Sequence, residues 1–221
     1  MKKNLRLGIQ LAALVIFTVL LLLDMIEIWM MLILVSAVLA TVLGRIYCGW
    51  LCPIHTVMRF VSWLRTRLGR EASQVPERAR NSILRYAVFA VTIVLLILTG
   101  LGLFKIPLIP LLIIPAAAIT FFYHSAFWHR LLCPFGTLFS IFAKKPFWGL
   151  WIDKNSCVKC GKCADACPSE SIIEESAINS HSVISNNCLT CFLCQEACNK
   201  EAIEFSFNKR KKLKEKYVLN N

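Results

Sequence analysis

Four long apolar runs fill most of the first 123 residues: 7–23, 28–43, 86–104 and 106–123. A helix that crosses a bilayer needs about 17–25 such residues, so the pattern predicts four spanning helices. Pro110 and Pro115 fall in the fourth and predict a kink there, tolerated where neighbouring helices satisfy the freed carbonyls. Two shorter amphipathic stretches, 57–68 and 138–143, follow the second and fourth runs. Beyond residue 149 the long runs stop. Four short apolar segments remain (150–153, 171–174, 183–185 and 202–205), expected to pair first with second and third with fourth. The expected architecture is a membrane all-α four-helix bundle over 1–149, a small α+β domain over 150–206, and a tail over 207–221.

Composition sharpens this picture. Of 221 residues 57% are hydrophobic and 17% charged, against about 25% charged in soluble domains. That excludes a disordered chain. The net charge of +12 is uneven. Residues 1–152 hold 15 Lys/Arg against 4 Asp/Glu, residues 153–205 hold 4 against 8, and 206–221 hold 6 against 1. The basic residues flank apolar runs, so a membrane surface rather than nucleic acid is the expected partner. Arg45, Arg59, Arg65, Arg67, Arg70, Arg78, Arg80 and Arg85 lie between runs two and three, whereas Asp24 and Glu27 lie between one and two. By the positive-inside rule, both termini and the domain after run four are expected in the cytoplasm, in a multi-pass protein of the cell membrane. No small-residue cleavage pattern follows Leu23, so run one is expected to remain as a helix. The tail 209–216 reads as a tether to anionic lipid.

The ends of runs two and four carry a repeat. An offset of 81 residues lays Tyr47-Cys48-Gly49-Trp50-Leu51-Cys52-Pro53 on Trp128-His129-Arg130-Leu131-Leu132-Cys133-Pro134, with Thr56 on Thr137. His129 takes the place of Cys48. Repeats of this kind place functional sites at their interface in membrane proteins. Three chemistries are open for Cys48, Cys52, Cys133 and His129: a dithiol–disulfide couple, a further metal centre with thiolate and imidazole ligands, or small buried apolar residues. His55 and His181 have no partner that the sequence identifies. For His124, near the membrane surface, an interfacial role and protonation of a quinone are both open.

The most specific signal is Cys157-x2-Cys160-x2-Cys163-x3-Cys167-Pro168, repeated as Cys188-x2-Cys191-x2-Cys194-x3-Cys198. Twice over, this is the bacterial ferredoxin run, in which the fourth cysteine serves the other cluster. It predicts two [4Fe–4S] clusters, one on Cys157, Cys160, Cys163 and Cys198, the other on Cys188, Cys191, Cys194 and Cys167. Zinc sites need no third and fourth cysteine at these spacings, and disulfides belong to oxidising compartments. Asn199 stands where the first run has Pro168.

With these motifs the chain resembles the NapH/MauN type of membrane ferredoxin, and its core is similar to that of NosR and CcoG proteins. The resemblance implies a membrane iron–sulfur protein, the electron-transfer component of a quinol dehydrogenase-like complex, passing electrons between quinol or a membrane centre and a redox protein partner. The likeness to CcoG implies an alternative, a metal (copper) reductase or maturation factor using Cys48, Cys52 and Cys133. A plain membrane anchor for a ferredoxin is the third reading. The family pattern has C-x3-C-P in both loops; His129 breaks the second. The flavin-bearing domain of NosR-type proteins is not expected here.

Overall fold

The computed structural model describes residues 3–73, 82–101, 108–175 and 180–207. Its helices, in order, are α1 (Lys3–Leu22), α2 (Ile26–Leu43), α3 (Ile46–Trp50), α4 (Pro53–Arg67), α5 (Ser82–Gly100), α6 (Leu108–Phe122) and α7 (Pro134–Phe142), with a π-helical turn at Trp128–Leu132 before α7. Arg78, Arg80, Lys105 and residues 208–221 of the basic tail lie outside the described residues.

Three of these helices, over Asn4–Leu22, Ile26–Leu43 and Ile83–Gly100, are long and apolar enough to cross a membrane. In the fourth run the described apolar helix is Ile109–Phe122; residues 106 and 107 of that run lie outside the described residues. Pro110 sits in the first turn, where backbone donors have no helical partner anyway, and Pro115 lies inside. Among the described residues the contacts do not establish a single four-helix bundle. α6 packs along the amphipathic α4, while α5 packs on α7 and the π-turn. Val91, Val94 and Ile97 of α5 stay exposed, a face suited to lipid.

The repeat is carried into backbone geometry. The Cys52 amide donates to the Tyr47 carbonyl at 3.0 Å, and the Cys133 amide to the Trp128 carbonyl at 2.8 Å. In both copies the cysteine caps a helix whose first residue is proline, a residue pre-organised for that position. Thr56 and Thr137 return hydroxyl hydrogen bonds to the Cys52 and Cys133 carbonyls. The Cys133 thiol also accepts from the Gly136 amide at 3.2 Å.

The small domain contains β1 (Trp148–Ile152), α8 (Lys162–Asp165), β2 (Ile172–Glu175), β3 (Ser180–Val183), α9 (Leu193–Ala197) and β4 (Ile203–Phe207). Three strands lie near their expected segments, but β3 is Ser180–Val183 rather than 183–185, and the pairing differs too. β1 pairs antiparallel with β4, Leu150 opposite Phe205, and β2 with β3, Ile172 opposite Val183. The first segment thus closes on the last rather than on the second. The reason is aromatic packing: Trp148 lies 5.9 Å from both Phe205 and Phe207, whereas β2 and β3 are joined by a short connection that favours a hairpin. The two cysteine runs share their turns. Lys159 and Thr190, Gly161 and Phe192, and Glu170 and Glu201 all have positive φ, at matching places in the two copies.

Candidate metal centres

Two pockets lie within the small domain. Cys157, Cys160, Cys163 and Cys198 line the first. Cys167, Cys188, Cys191 and Cys194 line the second. In each, the fourth thiol comes from the other run. All eight are free of disulfides. Among the described residues no three His, Cys, Asp or Glu side chains converge tightly enough for a single ion.

The pockets fit a group with anionic sulfur. The Ser171 amide donates to Cys167 Sγ at 3.2 Å and the Thr190 amide to Cys188 Sγ at 3.5 Å. Amides aimed at the sulfurs stabilise thiolate and raise cluster potential. Ser169 and Ser171, which the sequence did not single out, are buried, 2.7 Å apart, with the Ser169 hydroxyl 3.7 Å from Cys167 Sγ. At the first pocket His181 Nδ1 lies 3.9 Å from Cys157 Sγ.

The pockets differ in setting. Cys160 and Val158 of the first are exposed. The second is seated on the membrane half, and both repeated loops form the seat. In the first loop, Trp50 Nε1 donates to the Thr190 carbonyl at 3.0 Å, and buried Arg45 donates to the Asn186 and Asn187 carbonyls at 3.3 and 3.5 Å. Gly49 approaches so closely that a Cβ there would lie 2.5 Å from the Leu189 carbonyl oxygen. In the second loop, Ser125 Oγ donates to the Pro168 carbonyl at 2.8 Å, and Arg130 pairs with Glu170 at 3.3 Å. From α1, buried Arg6 donates to the Cys191 carbonyl at 2.6 Å and meets Glu196 at 2.9 Å. Arg6, Arg45 and Arg65, read from sequence as cytoplasmic flanking charge, are instead almost wholly buried.

The membrane-loop candidates Cys48, Cys52 and Cys133 are buried in the core that also holds Leu189 and Cys191. Burial raises all three thiols, Cys133 to about 11, despite Arg45 near Cys48 and Cys133. His129 is committed elsewhere: its Nε2 lies 3.0 Å from Nδ1 of His55. Burial lowers both imidazoles, His55 to about 3, so both are neutral. The sequence pattern held no sign of this partner, because the pair joins the two repeat copies across 74 residues.

The model of a 4Fe-4S binding domain matches residues 26–71 and 106–155, one match on each repeat copy, and that of a 4Fe-4S dicluster domain matches 149–199. An uncharacterized protein of Methanocaldococcus jannaschii is 33% identical over 144 residues, 64% of this chain and 58% of the relative. The methylamine utilization ferredoxin-type protein MauN of Methylobacillus flagellatus is 25% identical, covering 59% of this chain and 50% of its own. The ferredoxin-type protein NapH of Haemophilus influenzae is 26% identical, with 60% and 50% covered. The chain spans between about half and two thirds of the length of the curated relatives it matches. No solved structure matches it.

Proposed function

We propose that this chain, a NapH/MauN-type 4Fe–4S ferredoxin, conducts electrons between a membrane-level donor or acceptor, such as the quinone pool, and a redox protein. Two [4Fe–4S] clusters, when bound, supply the one-electron redox chemistry. Cys157, Cys160, Cys163 and Cys198 would hold one, and Cys167, Cys188, Cys191 and Cys194 the other. One observation carries the reading: the second pocket is seated on both repeated membrane loops, while the first has exposed residues on its rim. The protein thereby has a membrane-facing and a partner-facing end. Trp50, Arg45, Arg6 and Ser125 fix the second pocket at the level where the spanning helices end. The Ser171 and Thr190 amides donate to its Cys167 and Cys188 sulfurs.

Exposed Arg67 and Arg70 lie between the second and third spanning helices, which supports a cytoplasmic position for that end. The metal-reductase reading would place its substrate at Cys48, Cys52 and Cys133. These thiols are buried, and Cys52 and Cys133 cap helices; they give it less support than the two lined pockets give electron conduction.

The test is anaerobic purification with iron counted per chain, followed by EPR during titration with quinol and with dithionite. About eight irons and two coupled signals are expected. Iron for a single cluster, or clusters that no quinol reduces and no reduced cluster pool transfers to quinone, would overturn the quinone-linked reading. Copper reduction lost on Cys48→Ser, Cys52→Ser or Cys133→Ser would favour the reductase instead.

A further inference from the structure

We infer that Arg45 is the buried countercharge of the second [4Fe–4S] site: its guanidinium, carried by the first membrane loop, makes that site easier to reduce. The inference rests on the electron-conduction reading and adds a residue that sets the potential at the membrane-facing end.

Three arginines of the membrane half are almost wholly buried: Arg6, Arg45 and Arg65. Among the described residues no Asp or Glu is buried with them. A buried charge is costly unless an opposite charge or a set of dipoles answers it. Two of the three are answered within the protein. Arg6 meets Glu196 at 2.9 Å. Arg65 donates to the Thr120 and Tyr123 carbonyls at 2.7 and 3.0 Å, at the C-terminal end of α6, where a helix dipole is negative.

Arg45 is different. It is 1% exposed, and among the described residues no carboxylate pairs with it. Its Nη1 reaches the Asn186 and Asn187 carbonyls only at 3.3 and 3.5 Å, and its Nε has no partner. Its Nη2 lies 4.0 Å from Cys48 Sγ and 2.8 Å from where a Cβ on Gly136 would stand. Gly136 is in the first turn of α7, the positive end of that helix. The dipole there opposes the charge instead of answering it.

The second pocket lies beside this guanidinium. Asn187 is the chain neighbour of Cys188. Gly49, the neighbour of Cys48, sits so close that its Cβ would be 3.0 Å from Cys191 Cα. Cys48, Leu189 and Cys191 share one buried core, so a charge here acts through protein rather than water, where its effect is several times larger. Cys167, Cys188, Cys191 and Cys194, as cluster ligands, are thiolates. They supply the negative charge that Arg45 otherwise lacks. Reduction by one electron adds one further negative charge to the site; no bond breaks and no proton is taken up. A fixed positive charge beside the site favours the reduced form and raises the potential. Lys162 and Lys200 line the first pocket, but both are exposed, where water and salt screen them.

The test uses the full chain in lipid nanodiscs, with iron counted and the two midpoints followed by EPR during stepwise reduction with dithionite. Arg45→Gln removes the charge and keeps an amide donor; Arg45→Lys keeps the charge. In Arg45→Gln one midpoint is expected to fall by at least about tenfold in the reduction equilibrium, about 59 mV for one electron, and the other to move less. Arg45→Lys is expected to restore most of the difference. Glu196→Gln, which releases the charge of Arg6 beside the Cys191 carbonyl, is expected to raise that same midpoint. With iron retained, midpoints unchanged in Arg45→Gln, or falling equally in Arg45→Gln and Arg45→Lys, overturn the proposal and leave the conduction reading intact. A rise in Cys48→Ser as large as the fall in Arg45→Gln assigns the charge of Arg45 to the Cys48 sulfur and overturns it too. If Arg45→Gln fails to retain iron, Glu196→Gln decides, because a site that feels Arg45 also feels Arg6; no rise overturns the proposal. Wild type with iron for one cluster overturns the conduction reading itself.

Discussion

Gly49 shows what one residue contributes to the coupling between membrane half and small domain. A Cβ at this position would lie 2.5 Å from the Leu189 carbonyl oxygen and 3.0 Å from Cys191 Cα. Both are backbone atoms of the loop that lines the second pocket, and neither can swing aside. Gly49→Ala is therefore expected to cost about 1–3 kcal/mol and to lower iron at the second pocket, read by iron count and EPR of the purified variant. Gly161→Ala meets no atom within 4 Å and carries only its left-handed φ of 77°, a strain of about 1–2 kcal/mol; both cluster signals should persist. The eight run cysteines were legible in the sequence because ligand spacing is a local property. Gly49 was not, since close approach to a loop 140 residues away leaves no local trace. The buried arginines misled for a related reason. Arg6, Arg45 and Arg65 border apolar runs, where positive charge ordinarily faces lipid head groups, but the carbonyls that accept from Arg6 and Arg45 belong to the distant small domain, and those that accept from Arg65 lie at the end of α6.

Among the elements, α1 acts as a clasp and α4 as a float. Arg6 and Gln10 are one turn apart on α1, so they share a face. Arg6 holds Cys191 and Glu196, and Gln10 donates to the Gly49 carbonyl at 2.8 Å while accepting from Arg59 at 2.5 Å. Arg6→Leu leaves the Cys191 carbonyl unpaired, at about 2 kcal/mol; hydrogen exchange in 186–194 should rise while β1 and β4 remain protected. α4 exposes Phe60 and Trp63, stacked at 5.9 Å, with the Arg67 guanidinium 5.5 Å above the indole. Such a face belongs in the head-group region. A shallow spin-labelled lipid should quench Trp63 fluorescence more than a deep one, in a difference measurement against Trp63→Phe; equal quenching at both depths would remove α4 from the interface. The helices were legible because apolar period and length suffice to mark them. Three of the four strand positions were legible too, the third only at Val183, but not their partners. Short segments at 150 and 205 carry the same pattern as those at 172 and 183, and only the Trp148–Phe205–Phe207 packing separates the pairings.

The molecule as a whole is asymmetric about a duplicated ferredoxin core. Backbone turns repeat between the two runs, yet among the described residues it is the second pocket that is seated on the membrane half. Its lining includes Leu150, Leu189 and Ile172, all buried, and Arg6, Arg45 and Trp50 fasten its loop. The other pocket has Cys160 exposed and Val158 59% exposed on its rim. Iron should therefore leave in two phases. A hydrophilic iron chelator under anaerobic reducing conditions reaches the first pocket directly, whereas the second opens only when its loop separates from Gly49 and Trp50. Roughly half the iron is expected to be lost fast, with the EPR signal of one cluster, and the rest at a rate governed by local opening. Arg6→Leu should accelerate the slow phase alone, because it weakens the fastening of 191 and 196 without touching 157–163. A single phase, or acceleration of both, would mean that the two pockets open together and that the membrane seat gives the second no separate protection.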